Sequence, residues 1–213
     1  TSGAVTAITL EGVSVGGKDN TGGLVGQNWG TVRNSTVDGA ITDSGQGGGL
    51  VVGENRGTVV DSAASGTVSG SSESGLLVGT NWDGNISRSY STGTVSSGSP
   101  VGGLVGAHLG SPALINNSYS TADVSGSSDV GGLVGDIYSS ATIEQSYAAG
   151  NVVGTGGLVG ANDGSGTVSD SYWDVNTTGQ TGSAGGTGLT TDQLKANTSL
   201  GGFDFTSTWD VVD

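Results

Sequence analysis

The side chains best suited to chemistry in this sequence are one histidine and a few aspartates. His108 is the only histidine among 213 residues, and a lone histidine can serve as a general base. Asp163, Asp170 and Asp174 lie close together in the chain, and such carboxylates could hydrolyse a glycosidic bond or bind calcium. The spacings of an EF-hand and of the calcium-binding nonapeptide repeat are absent, so these aspartates are better explained as turn residues. We expect no catalytic residue, no metal site and no cofactor.

The position of His108 in a recurring phrase favours a structural role. Two residues after the last glycine of each GLVG-like phrase come, in order, Asn28, Asn55, Asn81, His108, Ile137 and Asn162. Asparagine can pass amide hydrogen bonds between stacked repeats and can accept the left-handed backbone conformation. We therefore interpret His108 as a member of an asparagine ladder.

Four tyrosines also share one position, each directly after a serine: Tyr90, Tyr119, Tyr147 and Tyr172. Stacked rings would stabilise neighbouring repeats by about 0.5 to 1 kcal/mol per pair. An exposed tyrosine ladder would instead bind a polysaccharide or another protein. The structural interpretation is favoured, and the four tyrosines remain candidate partner-facing aromatics.

Composition excludes several classes of protein. Five Lys and Arg stand against 19 Asp and Glu, and the net charge of −14 opposes contact with phosphate backbones. Nucleic acid is therefore not an expected partner. No stretch approaches the ~20 apolar residues that span a bilayer, so membrane insertion is not expected, and the first residues lack the pattern of a signal peptide. Cysteine is absent, which excludes disulfides and thiolate metal sites.

The elements that must position these residues are short strands in a repeat. The last glycine of each phrase recurs at steps of 27, 26, 27, 29 and 25 residues, which indicates a repeat architecture. Three apolar columns recur with it: Leu24, Val51, Leu77, Leu104, Leu133, Leu158; then Val32, Val59, Ile86, Ile115, Ile143, Val168; then Ile41, Val68, Val95, Val124, Val152. Short β-branched segments between Gly, Ser, Asn and Asp are typical of strands and turns.

One such unit cannot bury an apolar face alone, whereas units stacked at ~4.8 Å build a continuous core. We predict an all-β fold, a right-handed, three-sided parallel β-solenoid (β-helix) of about six to seven coils. Glycine, 44 of the residues, is expected to supply positive φ at the corners.

The chain is predicted to divide into solenoid repeats at 1–172 and a C-terminal cap at 173–213. Thr190 and Gln193 form a capping-box pattern that opens a short helix through about residue 196. Phe203, Phe205 and Trp209 follow and are expected to form an aromatic lid over the last open strand edges.

The repeated phrase G-[GL]-[LV]-V-G, with its trailing Asn-x-Gly and Val-x-x-Ser, resembles the GLUG-motif repeat of bacterial and archaeal surface proteins, adhesins and the non-catalytic parts of IgA-cleaving metallopeptidases. The resemblance extends from about residue 5 to residue 172. The segment SYWDVNTTGQTGSAGGTGLTTDQL is similar to one that often closes such arrays. The resemblance implies a surface-associated structural module and brings no catalytic residues with it.

The valine beside each core leucine raises the question of an assembly face. Strict alternation along a strand would turn one column outward: Val25, Val52, Val78, Val105, Val134 and Val159. This stripe, about 25 to 30 Å long, would suit self-association. Flanking glycines would instead bend the chain and bury both columns, which is the favoured alternative.

Together these features predict a secreted or cell-surface protein without catalysis, a stiff rod acting in adhesion or as a self-assembling subunit of an extracellular filament. Expected partners are a second copy of the chain, by head-to-tail or lateral contact, and surface glycans or other surface proteins. Five asparagines in Asn-x-Ser/Thr triplets are candidate glycosylation sites: Asn34, Asn85, Asn116, Asn176 and Asn197. The alternatives are a glycan- or ice-binding module, for which a regular Thr-x-Thr array is missing, and a polysaccharide-degrading β-helix enzyme, for which the basic residues form no cluster.

Overall fold

The computed structural model describes residues 2–196 and 200–209. In these ranges the chain winds into a parallel β-solenoid of about six turns. The all-β class and the parallel solenoid predicted from the repeat are confirmed, and the right-handedness stays a prediction.

Three long parallel sheets form the sides of the solenoid, and each holds one strand or strand pair per coil. Face 1 contains β1 (Ala4–Thr6), β4 (Thr31–Arg33), β7 (Thr58–Val60), β11 (Asn85–Ser87), β15 (Leu114–Asn116), β20 (Thr142–Glu144) and β24 (Thr167–Ser169). Face 2 contains β2 (Thr9–Gly17), β5 (Thr36–Asp43), β8 (Ala63–Ser69), β12 (Tyr90–Ser96), β16 (Tyr119–Ser120), β17 (Asp123–Ser125), β21 (Tyr147–Ala148), β22 (Val152–Val153), β25 (Tyr172–Asp174) and β26 (Thr187–Leu189). Face 3 contains β3 (Val25–Asn28), β6 (Val52–Asn55), β10 (Val78–Trp82), β14 (Val105–Leu109), β19 (Val134–Ile137) and β23 (Val159–Ala161).

The remaining elements are short. A small parallel ladder before face 3 contains β9 (Ser74–Gly75), β13 (Val101–Gly102) and β18 (Val130–Gly131). Two helices lie near the C-terminal end, α1 (Val175–Thr178) and α2 (Thr191–Lys195).

Equivalent residues of successive coils lie directly over one another, as the column pattern predicts. On face 1 Val59 pairs with Ile86 and Ile86 with Ile115. Before face 3 the backbone N–H of Leu77 donates to the carbonyl of Leu104 at 3.1 Å. The side chains of these columns fill the interior and are almost completely buried, apart from the partly buried Leu24 and Val168, so the stacked apolar columns form one continuous core.

The valine column is buried, so it offers no assembly face, and the favoured alternative of burying both columns is confirmed. Val52, Val78, Val105, Val134 and Val159 are fully buried, and Val25 is 9% exposed. The two residues before each face 3 strand form a bend, so the leucine and the valine do not alternate as they would in a regular strand. Both columns therefore point into the core, which is the alternative that the flanking glycines favoured.

Glycines such as Gly47 and Gly110 supply positive φ at corners, as predicted, but the glycines of the G-[GL]-[LV]-V-G phrase itself are needed for space. None of them has a positive φ among the described residues. A Cβ on Gly106 would lie 2.3 Å from the carbonyl carbon of Glu73, and one on Gly79 would lie 2.3 Å from that of Gly47. The corner segment of the preceding coil crosses the outside of the face 3 strand at this glycine, and a side chain would prevent that contact.

Polar residues, not glycines, adopt the left-handed conformation at the corner between faces 1 and 2 in every coil after the first, where Ala7 has a φ of 58°. Their φ angles lie between 44° and 51°, and the residues are Asn34, Asp61, Arg88, Asn117, Gln145 and Asp170. We call this set the corner column. Asn and Asp tolerate this conformation better than most residues with a side chain, so the corner can be built without glycine.

A buried serine follows each residue of the corner column: Ser35, Ser62, Ser89, Ser118, Ser146 and Ser171. Each hydroxyl donates to the carbonyl two residues earlier at 2.8 to 2.9 Å. Each of the last five hydroxyls also accepts the backbone N–H of the equivalent serine one coil before, at 3.1 to 3.3 Å. The serine ladder thus satisfies buried backbone groups at the corner and fixes the direction in which face 2 begins.

Residues 175–189 cover the C-terminal end of the solenoid. The indole of Trp173 is buried at this end, and its N–H donates to the carbonyl of Gln180 at 3.0 Å. The Ser183 hydroxyl accepts the N–H of Val159 at 2.8 Å, while β26 extends face 2 by pairing with β25. The predicted boundary between residues 172 and 173 falls within β25.

The predicted capping box and short helix are confirmed, but the aromatic lid is not. The Thr190 side chain and the Gln193 side chain cap α2 reciprocally. Phe203 and Trp209 do not lie over the open strand edges. They pack instead against tyrosines on the outer side of face 2, because residues 200–209 fold back along the solenoid.

Candidate binding surface

His108 ends a buried hydrogen-bonded ladder, as its position in the repeat predicts. The Asn28 amide nitrogen donates to Asn55 Oδ1 at 2.8 Å, and that of Asn55 donates to Asn81 Oδ1 at 2.7 Å. Asn81 then donates to Nδ1 of His108 at 3.1 Å, so Nε2 carries the ring proton and donates to the Thr142 carbonyl at 3.1 Å. Burial lowers the pKa of His108 to about 4, which keeps the ring neutral. The left-handed backbone predicted for the ladder asparagines is wrong, since none has a positive φ.

The aspartates near residue 170 have structural roles. Asp170 belongs to the corner column, with a φ of 44°. Asp174 caps α1 by accepting the N–H groups of Asn176 and Thr177, and its other oxygen accepts the Thr191 hydroxyl at 2.7 Å. Within residues 2–196 and 200–209, no group of three or more His, Cys, Asp or Glu is arranged to hold a metal ion.

The candidate glycosylation sites differ in exposure. Asn34, Asn85 and Asn176 are exposed, and Asn116 is half-buried. Asn197 lies outside the described residues. Glycosylation at these positions stays a prediction.

The tyrosine column points outward from face 2, and its rings are stacked. Ring centroids lie 5.0 Å apart between Tyr90 and Tyr119 and 5.1 Å apart between Tyr119 and Tyr147, with planes within 4° of parallel. The residues that follow these tyrosines are buried, so the tyrosines must face out. Burial raises the pKa of Tyr147 to about 12. Tyr172 leaves the stack and contacts Phe203 at 5.7 Å.

The C-terminal segment, residues 200–209, covers part of this tyrosine ladder. The Trp209 ring lies 6.1 Å from that of Tyr119 and 5.6 Å from that of Tyr147. Its indole N–H donates to Asn117 Oδ1 at 3.2 Å. Gln145 donates to the Gly202 carbonyl at 2.7 Å. Tyr90, at the far end of the ladder from this segment, is 40% exposed.

An open cleft remains beside Trp209, with a volume of about 290 Å³. We call it the tyrosine cleft, and it is lined by Arg88, Tyr90, Asn117, Tyr119, Tyr147, Thr208 and Trp209. At its mouth Arg88 forms a bidentate ion pair with Asp61, with N–O distances of 2.6 and 3.0 Å. Aromatic rings bordered by hydrogen-bonding side chains are typical of ligand sites. The corner column was not singled out from the sequence, because its types vary from coil to coil.

A second exposed aromatic set was also missed. Arg56 lies between the rings of Trp29 and Trp82, with its guanidinium carbon 4.9 and 4.4 Å from their centroids. The two rings are 58% and 40% exposed, and Arg56 also pairs with Glu54. The sequence did carry the signal, since the residue after each ladder asparagine reads Trp, Arg, Trp in three successive repeats. This tryptophan–arginine stack lies at the corner between faces 3 and 1.

One buried carboxylate lies on face 3. Asp136 is fully buried, and the Tyr138 hydroxyl and the backbone N–H of Asp163 face its carboxylate and lower its pKa, but burial outweighs them. Burial, followed by the negative charge of Asp163, raises the pKa of Asp136. A buried acid of this kind favours its protonated form.

Comparisons with known proteins agree with the resemblance seen in the sequence. The family model of the GLUG motif matches residues 19–42 and 70–96, so the predicted resemblance is confirmed at these two segments. Each matched segment includes a ladder asparagine, a corner-column residue and a buried serine. Comparison with curated proteins and with solved structures gave no match. In the described part of the chain, no helix is long and apolar enough to cross a membrane.

Proposed function

We propose that this chain is a non-catalytic adhesive module of the cell surface or extracellular space, a stiff rod that presents aromatic side chains to partner molecules. The observation that carries the proposal is the outward tyrosine ladder, whose rings repeat at 5.0 and 5.1 Å along in-register strands. Residues 200–209 cover the ladder at Tyr119 and Tyr147, so its exposed end at Tyr90 is the part that is open to a partner.

The interior of the solenoid supports the stiffness that this role requires. Successive coils are joined by parallel backbone pairing on all three faces. The serine and asparagine ladders add side-chain hydrogen bonds between the same coils. Because these bonds are buried, breaking one coil away from its neighbour would leave polar groups without partners. The spacing of the surface side chains is therefore held by the core.

Charge and packing limit the class of partner and the surface through which it is contacted. A net charge of −14 favours neutral or basic partners over nucleic acid and anionic lipid. Self-assembly into a filament has less support, because the valine column is buried and residues 175–189 cover the C-terminal end. Adhesion through a lateral face is the stronger proposal.

Two measurements test it. An antibody against the chain should label intact cells of the source organism as strongly as permeabilised cells, and labelling of permeabilised cells alone would contradict a surface location. Beads coated with the intact chain should be retained on the extracellular matrix of such cells. Tyr90→Ser should weaken retention, whereas an equal loss with the control Arg33→Ala, on face 1, would contradict a role for the tyrosine face.

A further inference from the structure

The repeat creates two equivalent positions beside the tyrosine ladder, and the chain itself fills one of them. Trp209 lies against Tyr119 and Tyr147 and donates to Asn117 of the corner column. Shifted by one coil towards the N-terminus, the same position lies beside Tyr90 and Tyr119, with Arg88 in place of Asn117. This second position is part of the tyrosine cleft. The surface thus already accepts a flat ring, and among residues 2–196 and 200–209 one ring-sized place stays open.

The groups around the open position determine what kind of ring fits it. Arg88 and Asp61, whose side chains are 50% and 41% exposed, hold each other in fixed orientation and still have hydrogen-bonding capacity towards solvent. Among the described residues Asn117 bonds only through its oxygen, to Trp209, which leaves its amide nitrogen as a donor for a ligand. An indole or phenol ring could satisfy one of these groups and would leave the others without partners. A pyranose ring offers a face of C–H bonds to an aromatic side chain and several hydroxyls to the polar border.

We propose that the tyrosine cleft binds a single neutral pyranose unit of a glycan, with one sugar face on the aromatic wall and its hydroxyls on Asn117 and on Arg88, which Asp61 orients. This inference rests on the proposed adhesive function and names its ligand. The sugar is neutral because Asp61 already compensates the charge of Arg88. The excess of acids over the chain also repels an anionic ligand.

The test uses the intact chain and defined sugars. The methyl glycosides of glucose, galactose, mannose and N-acetylglucosamine are titrated separately, and binding is followed by saturation-transfer NMR and by tryptophan fluorescence. At least one should bind in the millimolar range and perturb Trp209, so that Trp209→Phe removes the fluorescence change. Arg88→Ala should weaken binding about ten-fold, since it removes the bidentate group at the mouth of the cleft.

Matched variants distinguish loss of the binding site from loss of folding. Arg33→Ala removes another exposed arginine, on face 1 and outside the cleft, and should leave binding unchanged. Asp61→Asn keeps a residue that tolerates the left-handed corner and should also weaken binding, which covers the case in which Arg88→Ala unfolds the chain. Thermal melts by circular dichroism establish that each variant is folded.

The proposal is overturned if none of the four glycosides binds, if binding survives both cleft variants, or if methyl glucuronide binds more tightly than every neutral sugar. Stronger binding of N-acetyl-tryptophanamide than of any sugar would also overturn it, by assigning the cleft to an aromatic side chain of a protein partner. If beads coated with the chain still adhere while no sugar binds, the adhesive function stands and only the sugar site fails. Loss of bead adhesion together with loss of sugar binding would contradict both the adhesive function and the sugar site.

Discussion

Replacement of Gly106 by alanine should destabilise the solenoid strongly, although this glycine has no unusual backbone conformation. The added Cβ would lie 2.3 Å from the carbonyl carbon of Glu73 and 2.4 Å from the backbone nitrogen of Ser74. The shorter distance is about 1.1 Å below the 3.4 Å at which ordinary van der Waals contact begins. Both neighbours are backbone atoms of the corner segment, so a rotamer change cannot relieve the clash. We expect a loss of about 3 kcal/mol or more in the free energy of unfolding.

Two further variants test whether residue 106 must be glycine for steric space or for backbone conformation. If Gly106 were needed for a positive φ, Gly106→Asn would be milder than Gly106→Ala, because asparagine tolerates that region. The larger side chain should instead be at least as destabilising as alanine. Gly182→Ala is the matched control, because no atom lies within 4 Å of its added Cβ. It should be neutral or stabilise the fold by about 0.4 to 1 kcal/mol through the unfolded state.

The assay is urea denaturation followed by circular dichroism and by tryptophan fluorescence. Repeat arrays can unfold in parts, so the midpoint and the slope of each probe should be compared before a free energy is assigned. A Gly106→Ala chain as stable as the parent would refute the close-approach argument. Recovery of stability in Gly106→Asn would show that backbone conformation is the reason for the glycine.

Four other outcomes are expected. Ser89→Ala removes an acceptor from a buried N–H and a donor from a buried carbonyl and should cost about 1 to 3 kcal/mol in chemical denaturation, whereas the exposed Ser96→Ala should change little. Arg56→Ala should lose about 1 to 2 kcal/mol from two cation–π contacts and alter the tryptophan emission. The pKa of His108 is lowered from 6.5 to about 4, so the contribution of the neutral ring to folding stability is complete above about pH 6.5 and falls as pH drops towards 4. His108→Asn should therefore reduce the loss of stability in acid, as measured by thermal melts at several pH values. The pKa of Asp136 is raised above 3.8, so the folded state binds its proton more tightly and stability falls as pH rises through that raised value; Asp136→Asn should therefore raise the melting temperature at pH 7.

Three of these outcomes have a clear opposite. A Ser89→Ala chain no less stable than Ser96→Ala would mean that the serine ladder contributes nothing. An Asp136→Asn chain that melts lower at pH 7 would mean that the carboxylate is satisfied in its charged form. Unchanged acid sensitivity in His108→Asn would place the titrating group elsewhere.

The apolar columns predicted the register of the solenoid because stacking leaves little freedom. When equivalent residues lie one coil apart, any column that is apolar in every repeat must share one side of the core. Val59, Ile86 and Ile115 therefore pair as the sequence spacing predicts. The structural role of His108 was predicted correctly for the same reason, because the asparagines at the equivalent positions of other repeats identify its environment.

The errors arose where one coil touches a part of the chain that its own repeat does not contain. Gly106 is required by a corner segment about 30 residues earlier, so local φ reasoning failed. Trp209 meets Asn117 across 92 residues, and nothing in the spacing predicts that the C-terminal segment folds back along face 2. The valine column is buried, as favoured, because a bend precedes each strand, and the rule of alternating faces that would have turned it outward applies only within a strand.

The corner column shows how a repeat of this kind can acquire a binding site without altering its core. The serine after each corner residue is the same in six coils and fully engaged inside, so substitution there disturbs backbone hydrogen bonds. The corner residue itself needs only to tolerate a left-handed backbone and to face solvent, and it varies among Asn, Asp, Arg and Gln. Because this variable residue stands beside an outward tyrosine, changing Arg88 or Asn117 alters the polar border of an aromatic site while the fold is kept. We therefore expect exchanges within the corner column, such as Arg88→Asn, to change ligand preference more than they change stability.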